Sequence, residues 1–341
     1  MTTKSSLLTR GPRPFVSVVV PCYNEEESLP ALHERLTKVL SSTTDHYEII
    51  LTNDGSRDRT LEIMREIVDR DPRVRAVDLS RNFGHQICLT AGLDHARGQV
   101  IMMIDADLQD PPELLPEMIE KWRAGADVVY AVREKREGET WFKLLTAAAF
   151  YRLLRWSTKI DIPLDTGDFR LIDRRALKAV LGLRERNRFL RGMFTWVGFH
   201  QVPIYYQREA RFAGETKYPL KKMVRFAMDG ITSFSALPLR LAFWTGLAAA
   251  GIAFIYALRV FYQGLSGGTV PGWASNTISV LFLGGIQLVM IGVLGEYISR
   301  IFDEVKARPL YLVREVLESD KQDLPDFPED QTKGRDAAAG K

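Results

Sequence analysis

Residues 101–112, Ile-Met-Met-Ile-Asp-Ala-Asp-Leu-Gln-Asp-Pro-Pro, constrain the fold of this chain more than any other stretch. The uninterrupted apolar run that begins it is typical of a strand buried on both faces of a sheet. Asp105 and Asp107 follow at once, and side chains two residues apart in extended backbone point the same way. Two carboxylates at the end of a buried strand are suited to a hard divalent cation that also binds phosphate oxygens. Asp110 is expected to cap the helix that follows, over residues 112–123.

Further apolar runs alternate with helical patterns along the first 200 or so residues. Strands are predicted at residues 15–21, 47–52, 74–79, 100–104 and 128–131. Helices between such strands predict right-handed crossovers, and therefore an α/β fold with a mostly parallel sheet covered on both faces. Ligands bind such sheets beyond the carboxyl ends of the strands, so the polar loops after the first, second and fourth strands should meet at one edge. Asp58 and Asp173 are expected to cap the helices that follow them.

Composition and motif searches exclude several classes of ligand. The 46 Lys and Arg against 43 Asp and Glu give a formal net charge of +3, which is too balanced to indicate a nucleic-acid partner. No G-x-G-x-x-G follows the first strand and no G-x-x-x-x-G-K-[ST] occurs, which disfavours a dinucleotide fingerprint and a P-loop. No secretory signal peptide is recognised, so the two cysteines, Cys22 and Cys88, are expected to be reduced thiols.

The last third of the chain contains an apolar pair of segments. Residues 241–258 and 273–295 are uncharged, and their lengths suit two helices crossing about 30 Å of hydrocarbon. Basic residues are concentrated outside this pair, so the positive-inside rule predicts that both flanks are cytoplasmic. Two basic, aromatic-rich stretches, 140–157 and 219–235, fit amphipathic helices in a membrane interface. The first of them fits equally well a helix packed on its own domain.

Several motifs together resemble a known enzyme family. They are Val-Val-Pro-Cys-Tyr-Asn-Glu at 19–25, Asn-Asp-Gly-Ser at 53–56 and Asp-Ala-Asp-Leu-Gln at 105–109. These motifs are similar to those of inverting family 2 glycosyltransferases, whose fold is GT-A. The run to residue 112 resembles the branch that makes polyprenyl-phosphate sugars, which includes dolichyl-phosphate mannose synthase. Gly-Glu-Tyr at 295–297 and Arg-Pro-Leu-Tyr at 308–311 are most similar to bactoprenol glucosyltransferases.

The resemblance implies roles for residues that would contact the donor. These are Pro21, Tyr23, Glu25, Asp54 and Asp105 for the nucleotide, Asp105, Asp107 and Gln109 for a Mg²⁺ or Mn²⁺ ion, and Gln109, Arg133 and Arg170 for the sugar and diphosphate. Asp54 would accept a hydrogen bond from an N–H of the base. Its alternative is an Asx-turn ahead of Gly55. The cation would neutralise the departing nucleoside diphosphate.

The resemblance also implies residues on the acceptor side. Asp168, in Thr-Gly-Asp-Phe-Arg-Leu at 166–171, matches an aspartate usually assigned as the catalytic base. A phosphomonoester has a second pKa near 6 and needs little deprotonation at pH 7, so we expect instead that Asp168 orients the acceptor or Arg170, or lies near the metal. Arg211 and Lys217 match cations that bind the phosphates of the two anionic reactants.

The implied activity is inverting transfer of a hexose, glucose from UDP-glucose, to undecaprenyl phosphate at the cytoplasmic face of a bacterial inner membrane. The expected organisation is a disordered tail at 1–14, a GT-A domain at 15–207, an active-site and juxtamembrane segment at 208–238, two transmembrane helices at 239–299, and a cytoplasmic segment with a disordered tail at 300–341. A multi-pass protein with both termini in the cytoplasm results. A homo-oligomer and a downstream flippase are compatible with this expectation, and no nucleic acid is expected.

Other functions compete with this one. GDP-mannose or UDP-4-amino-4-deoxy-formyl-arabinose could replace UDP-glucose as the donor in the same reaction. A non-catalytic membrane scaffold that binds nucleotides is a second alternative, and a processive synthase is a third. The presence of the whole set of acidic and basic motif residues argues against the scaffold.

Overall fold

The computed structural model describes residues 15–133, 166–207, 237–265 and 272–319. Within these residues an eight-stranded sheet is the centre of the molecule. Its strands are β1 (Val16–Cys22), β2 (Tyr47–Asn53), β3 (Val74–Leu79), β4 (Val100–Met103), β5 (Val128–Arg133), β6 (Thr166–Asp173), β7 (Gln201–Tyr206) and β8 (Val313–Leu317). The five strands predicted from the sequence are confirmed, with ends that shift by one or two residues.

The order of the strands is β7-β5-β6-β4-β1-β2-β3-β8. β1 to β4 form a parallel core, and β5 runs parallel to β7. β6 is antiparallel to both of its neighbours, β4 and β5, and β8 is antiparallel to β3. Consequently the start of β6 lies at the same edge as the ends of β1 to β5 and β7. This edge, the carboxyl edge below, is where a parallel sheet presents its ligand-binding loops.

Helices cover both faces of the sheet. They are α1 (Leu29–Thr43), α2 (Thr60–Arg70), α3 (His85–His95), α4 (Leu115–Arg123), α5 (Arg174–Gly182) and α6 (Leu190–Trp196). α1, α2 and α4 pack on one face, around side chains such as Leu36, Met64 and Trp122. α3, α5 and α6 pack on the other face, around Leu89, Leu177 and Phe194. Because strands covered on both sides must be apolar on both sides, the continuous hydrophobic runs of β1 and β4 follow from this layering.

The predicted helix caps have three different outcomes. Asp173 accepts a hydrogen bond from the backbone N–H of Arg175 at the start of α5, as predicted. Asp58 accepts from the N–H of Thr60 at 3.1 Å, although the residue that immediately precedes α2 is Arg59. The cap predicted at Asp110 is wrong. A short 3₁₀ turn at Pro112–Leu114 precedes α4, and the Asp110 carboxylate instead accepts from the Tyr206 hydroxyl of β7.

Two long helices follow the α/β domain. They are α7 (Leu237–Leu265) and α8 (Trp273–Val305), and they contact each other as a hairpin. In the described chain one segment, Phe282–Val305, is long and apolar enough to cross a membrane, with a mean hydropathy of 1.5 and none of it buried inside the protein. Residues Ala242–Tyr256 of α7 form a shorter apolar stretch. Large apolar side chains such as Ile252 and Leu288 are exposed on both helices.

A residue without a side chain lets two packed helices approach closely. This is observed at Gly246, where an added Cβ would lie 2.7 Å from Cε of Met290. At Gly251, Gly284, Gly285 and Gly292 an added Cβ would meet no described heavy atom within 4 Å. Of these five glycines, Gly246 is the one at which the two helices approach closely.

After the hairpin the chain returns to the α/β domain. Glu304 accepts a hydrogen bond from the backbone N–H of Arg186 in the α5–α6 loop. Tyr311 donates to Asp94 at the end of α3, and β8 then pairs with β3. No strand was predicted in residues 300–341, because the pattern of β8 is that of an exposed edge strand. Its pairing fixes the far end of the hairpin to the sheet.

Candidate functional site

Loops from the ends of β1 and β2 are joined to each other at the carboxyl edge. The backbone N–H of Asn24 donates to the Ser56 hydroxyl, and the N–H of Arg57 donates to the Asn24 side chain. Glu25 is held there as well, since its N–H donates to Thr60 and its carboxylate accepts from Ser28. These bonds leave Tyr23 43 % exposed beside buried Pro21. The loop predicted to contact a nucleotide thus has a fixed backbone and an exposed aromatic ring.

The loop after β3 packs against the loop after β2. Gly55 has a φ of +65°, and an added Cβ would lie 2.7 Å from the carbonyl carbon of Arg81. Asp54, predicted to recognise the base, is buried, and its two carboxylate oxygens accept the N–H groups of Phe83 and Gly84 at 2.7 and 3.0 Å. Neither predicted role describes these bonds. Asp54 here anchors the β3–α3 loop.

The two aspartates that end the apolar run lie just beyond β4. Asp107 accepts a hydrogen bond from the backbone N–H of Gln109, with Leu108 between them at a φ of +59°. The Gln109 side chain is buried. Asp105 is partly exposed, and its Oδ1 lies 3.6 Å from Nε2 of His85. The turn 105–109 thus holds the Asp107 carboxylate by its own backbone, while Asp105 faces α3.

Asp168, near the start of β6, is contacted by three side chains at this edge. Arg191 of α6 donates to Oδ1 at 3.0 Å, Gln86 of α3 donates to Oδ2 at 3.0 Å, and His85 Nε2 lies 3.2 Å from Oδ2. Gln86 also accepts from the N–H of Leu190, the first residue of α6. Asp168 therefore joins α3, β6 and α6 at one point.

Among the described residues the arginine hydrogen-bonded to Asp168 is Arg191, while Arg170 acts on Asp168 through its charge. The guanidinium of Arg170 donates to the carbonyl of Gly167 and lies over the ring of Phe194, 4.9 Å from its centroid, and the residue is buried. Arg191 therefore takes the role that was predicted for Arg170. The sequence did not indicate this partner, because Arg191 comes from a helix that carries no recognisable motif.

The pKa values of Asp105 and Asp168 are shifted in opposite directions. Burial raises the pKa of Asp105 to about 6, and Asp168, Asp110 and Asp107 add to this while His85 opposes it. Burial acts in the same direction on Asp168, but the Arg191 guanidinium and the His85 ring hold its pKa well below the usual range. For the His85 ring burial alone would lower the pKa, yet Asp105 and Asp168 raise it to about 9.

Arg133 ends β5 at the same edge. It donates through Nε to the Tyr206 hydroxyl at 3.2 Å, and its Nη2 lies 4.0 Å from Asp110 and close to Gly167. The edge thus brings together Asp105, Asp107, Asp168 and Arg133 with Asp110 and Tyr206, although Asp168 lies on β6, an antiparallel strand that the sequence did not predict. Arg211, Lys217 and the stretches 140–157 and 219–235 lie outside the described residues, and their roles stay predictions.

Sequence analysis missed His85, Gln86 and Arg191. A signal existed for the first two, because they open the helix after the third strand, whose carboxyl end must face the same edge as the others. The prediction drew only on the loops after β1, β2 and β4. Nothing in the sequence pointed to Arg191.

A divalent cation fits the donor set at this edge. In the described residues no group of three His, Cys, Asp or Glu side chains is arranged to hold a metal. However, burial raises the pKa of Asp105 to about 6, the neighbouring carboxylates of Asp168, Asp110 and Asp107 raise it further, and His85 opposes the shift. Hard cations bind such oxygen sites together with substrate phosphates, which can supply the missing ligands. Asp105 and Asp107 are therefore the candidate protein ligands.

The layered α/β fold, with acidic side chains at the carboxyl edge of its sheet, is of the glycosyltransferase type by comparison with known families. Residues 17–181 match the family model "Glycosyl transferase family 2", and residues 237–301 match "GtrB C-terminal hairpin". The chain belongs to glycosyltransferase family 2, with a GT-A-like domain followed by this hairpin. The resemblance predicted from the motifs is confirmed.

Individual relatives cover most of the chain. The uncharacterized glycosyltransferase YkcC of Bacillus subtilis is 55 % identical over 87 % of this chain and 93 % of its own length. The prophage bactoprenol glucosyl transferase homolog of Escherichia coli is 43 % identical over 88 % of this chain and 99 % of its own length. The bactoprenol glucosyl transferase of Shigella phage SfII is 43 % identical over 88 % and 97 %.

Proposed function

We propose that this protein transfers glucose from UDP-glucose to undecaprenyl phosphate, with inversion, at the cytoplasmic face of a bacterial inner membrane. One observation carries the proposal. The Asp105, Asp107 and Asp168 carboxylates and the apolar hairpin belong to one connected unit, since the chain after the hairpin pairs with β3. The names of the relatives support the polyprenyl-phosphate acceptor and the glucosyl donor.

The donor would lie across the ends of β1, β2 and β4. The exposed Tyr23 ring offers a surface on which a base can stack, and the β1–α1 and β2–α2 loops are held rigid around it. Because Asp54 is already bonded to Phe83 and Gly84, we assign it to positioning this loop pair rather than to the base alone. A rigid pocket lowers the entropic cost of holding the donor.

Asp105 and Asp107 would hold Mg²⁺ or Mn²⁺, with oxygens of the donor diphosphate as further ligands. A bound cation neutralises charge on the diphosphate as it departs. The protein's own part is to hold the two carboxylates at the sheet edge, through β4 on one side and the Gln109 N–H on the other. Electrostatic preorganisation of this kind is generally the largest single contribution to such catalysis.

The transfer itself needs one bond formed and one broken. An oxygen of the lipid phosphate attacks the anomeric carbon from the side opposite to the diphosphate. The bond from that carbon to the diphosphate breaks, and its electron pair stays on the diphosphate oxygen. An α-linked donor would thus give a β-linked product. Asp168 is a poor base for this reaction, because its pKa is held far below neutral and its oxygens accept bonds from Arg191, Gln86 and His85.

The hairpin would keep the enzyme where the acceptor's head group lies. The exposed apolar side chains of α7 and α8 and the match to the hairpin family support a membrane location. Two spans with a short outward loop, and both flanks in the cytoplasm, follow from the charge pattern. Confinement to the bilayer turns the encounter between enzyme and lipid into a two-dimensional search.

The test is a reconstitution. The full chain in lipid vesicles would be given undecaprenyl phosphate, Mg²⁺ or Mn²⁺, and in separate reactions UDP-glucose, GDP-mannose or UDP-4-amino-4-deoxy-formyl-arabinose, and the lipid product would be weighed by mass spectrometry. We expect one added hexose, with UDP-glucose alone. Another preferred donor would replace the sugar assignment, several added sugars would indicate a processive synthase, and no metal-dependent UDP release would indicate the scaffold.

A further inference from the structure

We propose that His85 binds the anionic group of the acceptor, and that Asp168, Gln86 and Arg191 position its ring for this contact. The inference rests on the proposed function, since it assigns the phosphate of the acceptor to a particular side chain. None of the three partners of Asp168 was singled out from the sequence. What assigns them is the arrangement of α3, β6 and α6 at the carboxyl edge.

His85 is the part of this cluster that an incoming reactant can reach. Its side chain is 45 % exposed, whereas that of Asp168 is 6 % exposed and that of Arg191 is 25 % exposed. An anion that approaches Asp168 would therefore meet the imidazole first. The ring covers the carboxylate that would otherwise repel a phosphate at this edge.

The two ring nitrogens of His85 differ in their surroundings. Nε2 lies 3.2 Å from Asp168 and 3.6 Å from Asp105. Nδ1 has no hydrogen-bond partner among the residues that the structure describes. A carboxylate bonded to one nitrogen fixes the orientation of the ring and leaves the other nitrogen for a ligand, as in catalytic histidines held by an aspartate.

The carboxylate that holds the ring is itself held. Asp168 accepts from Arg191 on one oxygen and from Gln86 on the other, and Gln86 in turn accepts from the N–H of Leu190. An orienting group whose own position is fixed from two helices can define the ring position to the accuracy that catalysis requires. This explains why a buried aspartate in β6 carries so many partners.

The contact we propose is one hydrogen bond between Nδ1 and an oxygen of the acceptor phosphate, with a single proton between them. The phosphate oxygen that attacks the anomeric carbon keeps its electron pair free for the new bond. No proton is consumed by the transfer, and the leaving diphosphate takes the electron pair of the broken bond. His85 thus binds and aligns the nucleophile, and Asp168, Gln86 and Arg191 act through it.

The experiment compares His85→Ala and His85→Lys with the wild type in the reconstituted system. A control variant, His95→Gln, changes a histidine in the last turn of the same helix whose ring Nδ1 lies 2.8 Å from the carbonyl oxygen of Ala91. Two rates are measured: transfer to undecaprenyl phosphate, and slow release of UDP from UDP-glucose in the absence of acceptor. The second rate reports the donor side alone.

We expect His85→Ala to lower kcat/KM for the acceptor about 100-fold, the loss typical of one donor to a reacting anion, and to lower acceptor-free UDP release at saturating Mn²⁺ by about tenfold at most. His85→Lys, which keeps a cationic donor, should recover about tenfold of this loss. Asp168→Asn should cost a similar factor, and the double variant His85→Ala with Asp168→Asn should be no worse than the more damaged single variant.

Equal losses of transfer and of acceptor-free UDP release would overturn the inference, because His85 would then act on the donor or on Asp105. Transfer within about threefold of the wild type, or multiplicative losses in the double variant, would overturn it as well. If the wild type releases UDP but glycosylates no polyprenyl phosphate, the proposed function fails, and the inference fails with it. If the wild type and His85→Ala both transfer glucose to undecaprenyl phosphate at the same rate, the inference about His85 fails and the proposed function stands.

Discussion

The two edges of the sheet use buried charge in opposite ways. The amino edge is the one at which β1 to β4 begin. There Glu48 is fully buried, and its oxygens accept from the Ser17 hydroxyl, the N–H of Arg97 and the guanidinium of Arg75. Arg75 in turn donates to Glu318, which follows β8. At the carboxyl edge, among the residues that the structure describes, burial together with the carboxylates of Asp168, Asp110 and Asp107 raises the pKa of Asp105 to about 6. Paired charge indicates structure, and a carboxylate whose ionised form is disfavoured indicates a place prepared for ligands.

The largest expected effect is on activity at the carboxyl edge. Asp105→Asn removes the candidate cation ligand that lies directly at the end of β4, so we expect glucosyl transfer to fall at least about 1,000-fold. The measurement is transfer to undecaprenyl phosphate in vesicles over a range of Mn²⁺ concentrations. Glu48→Gln is the matched control at the other edge. Loss of activity in both variants, when scaled to folded protein, would remove the distinction between the edges.

The amino edge should show the opposite behaviour. Glu48→Gln leaves Arg75 and the surrounding donors without their buried anion, and breaking one partner of a buried ion pair costs about 3–5 kcal/mol. We expect a much lower melting temperature with unchanged kcat in the remaining folded enzyme. Glu66→Gln, which breaks the exposed pair of Glu66 with Arg70, should change stability by less than about 0.5 kcal/mol. Similar melting temperatures for the two variants would contradict the structural role.

Burial of the Asp105 carboxylate at the carboxyl edge also predicts a pH dependence. The pKa of Asp105 is about 6 in the folded protein and near 3.9 in an unfolded chain, so ionisation destabilises the fold as pH rises from about 4 through 6. In cation-free buffer, Asp105→Asn should therefore be more stable than the wild type by about 1–2 kcal/mol at pH 7 and nearly equal at pH 4. Chemical denaturation at the two pH values measures this. A wild type that is more stable than the variant at pH 7 would show that the surroundings of Asp105 do not disfavour its ionised form.

The smallest effect concerns Glu318, through which the segment after the hairpin contacts Arg75 at the amino edge. Glu318 is partly exposed, and Arg75 keeps Glu48 when Glu318 is replaced. Glu318→Gln should therefore cost only about 0.5–1 kcal/mol and leave transfer unchanged. Thermal unfolding and the transfer assay measure both quantities. A loss of transfer without loss of stability would mean that the docking of the chain after the hairpin affects the active site.

Much of the carboxyl edge could be predicted from local patterns. The apolar run before Asp105 predicted a central strand, and parallel strands must present their ends together. β6 and β7 were missed for physical reasons. Buried Asp168 and Arg170 make β6 look like a loop, and β7 contains Pro203, which suits an edge strand and weakens the strand signal.

The sequence by itself determined the family, the parallel core and the aspartates at its edge, because each depends on short motifs and on periodicity along the chain. Only the tertiary structure decided the partners of those aspartates. Asp168 is bonded to α3 and α6, Asp110 to β7, and Asp54 to the β3–α3 loop, and each partner is distant along the chain. Hydrogen-bond partners depend on which segments pack side by side, and no local pattern encodes that.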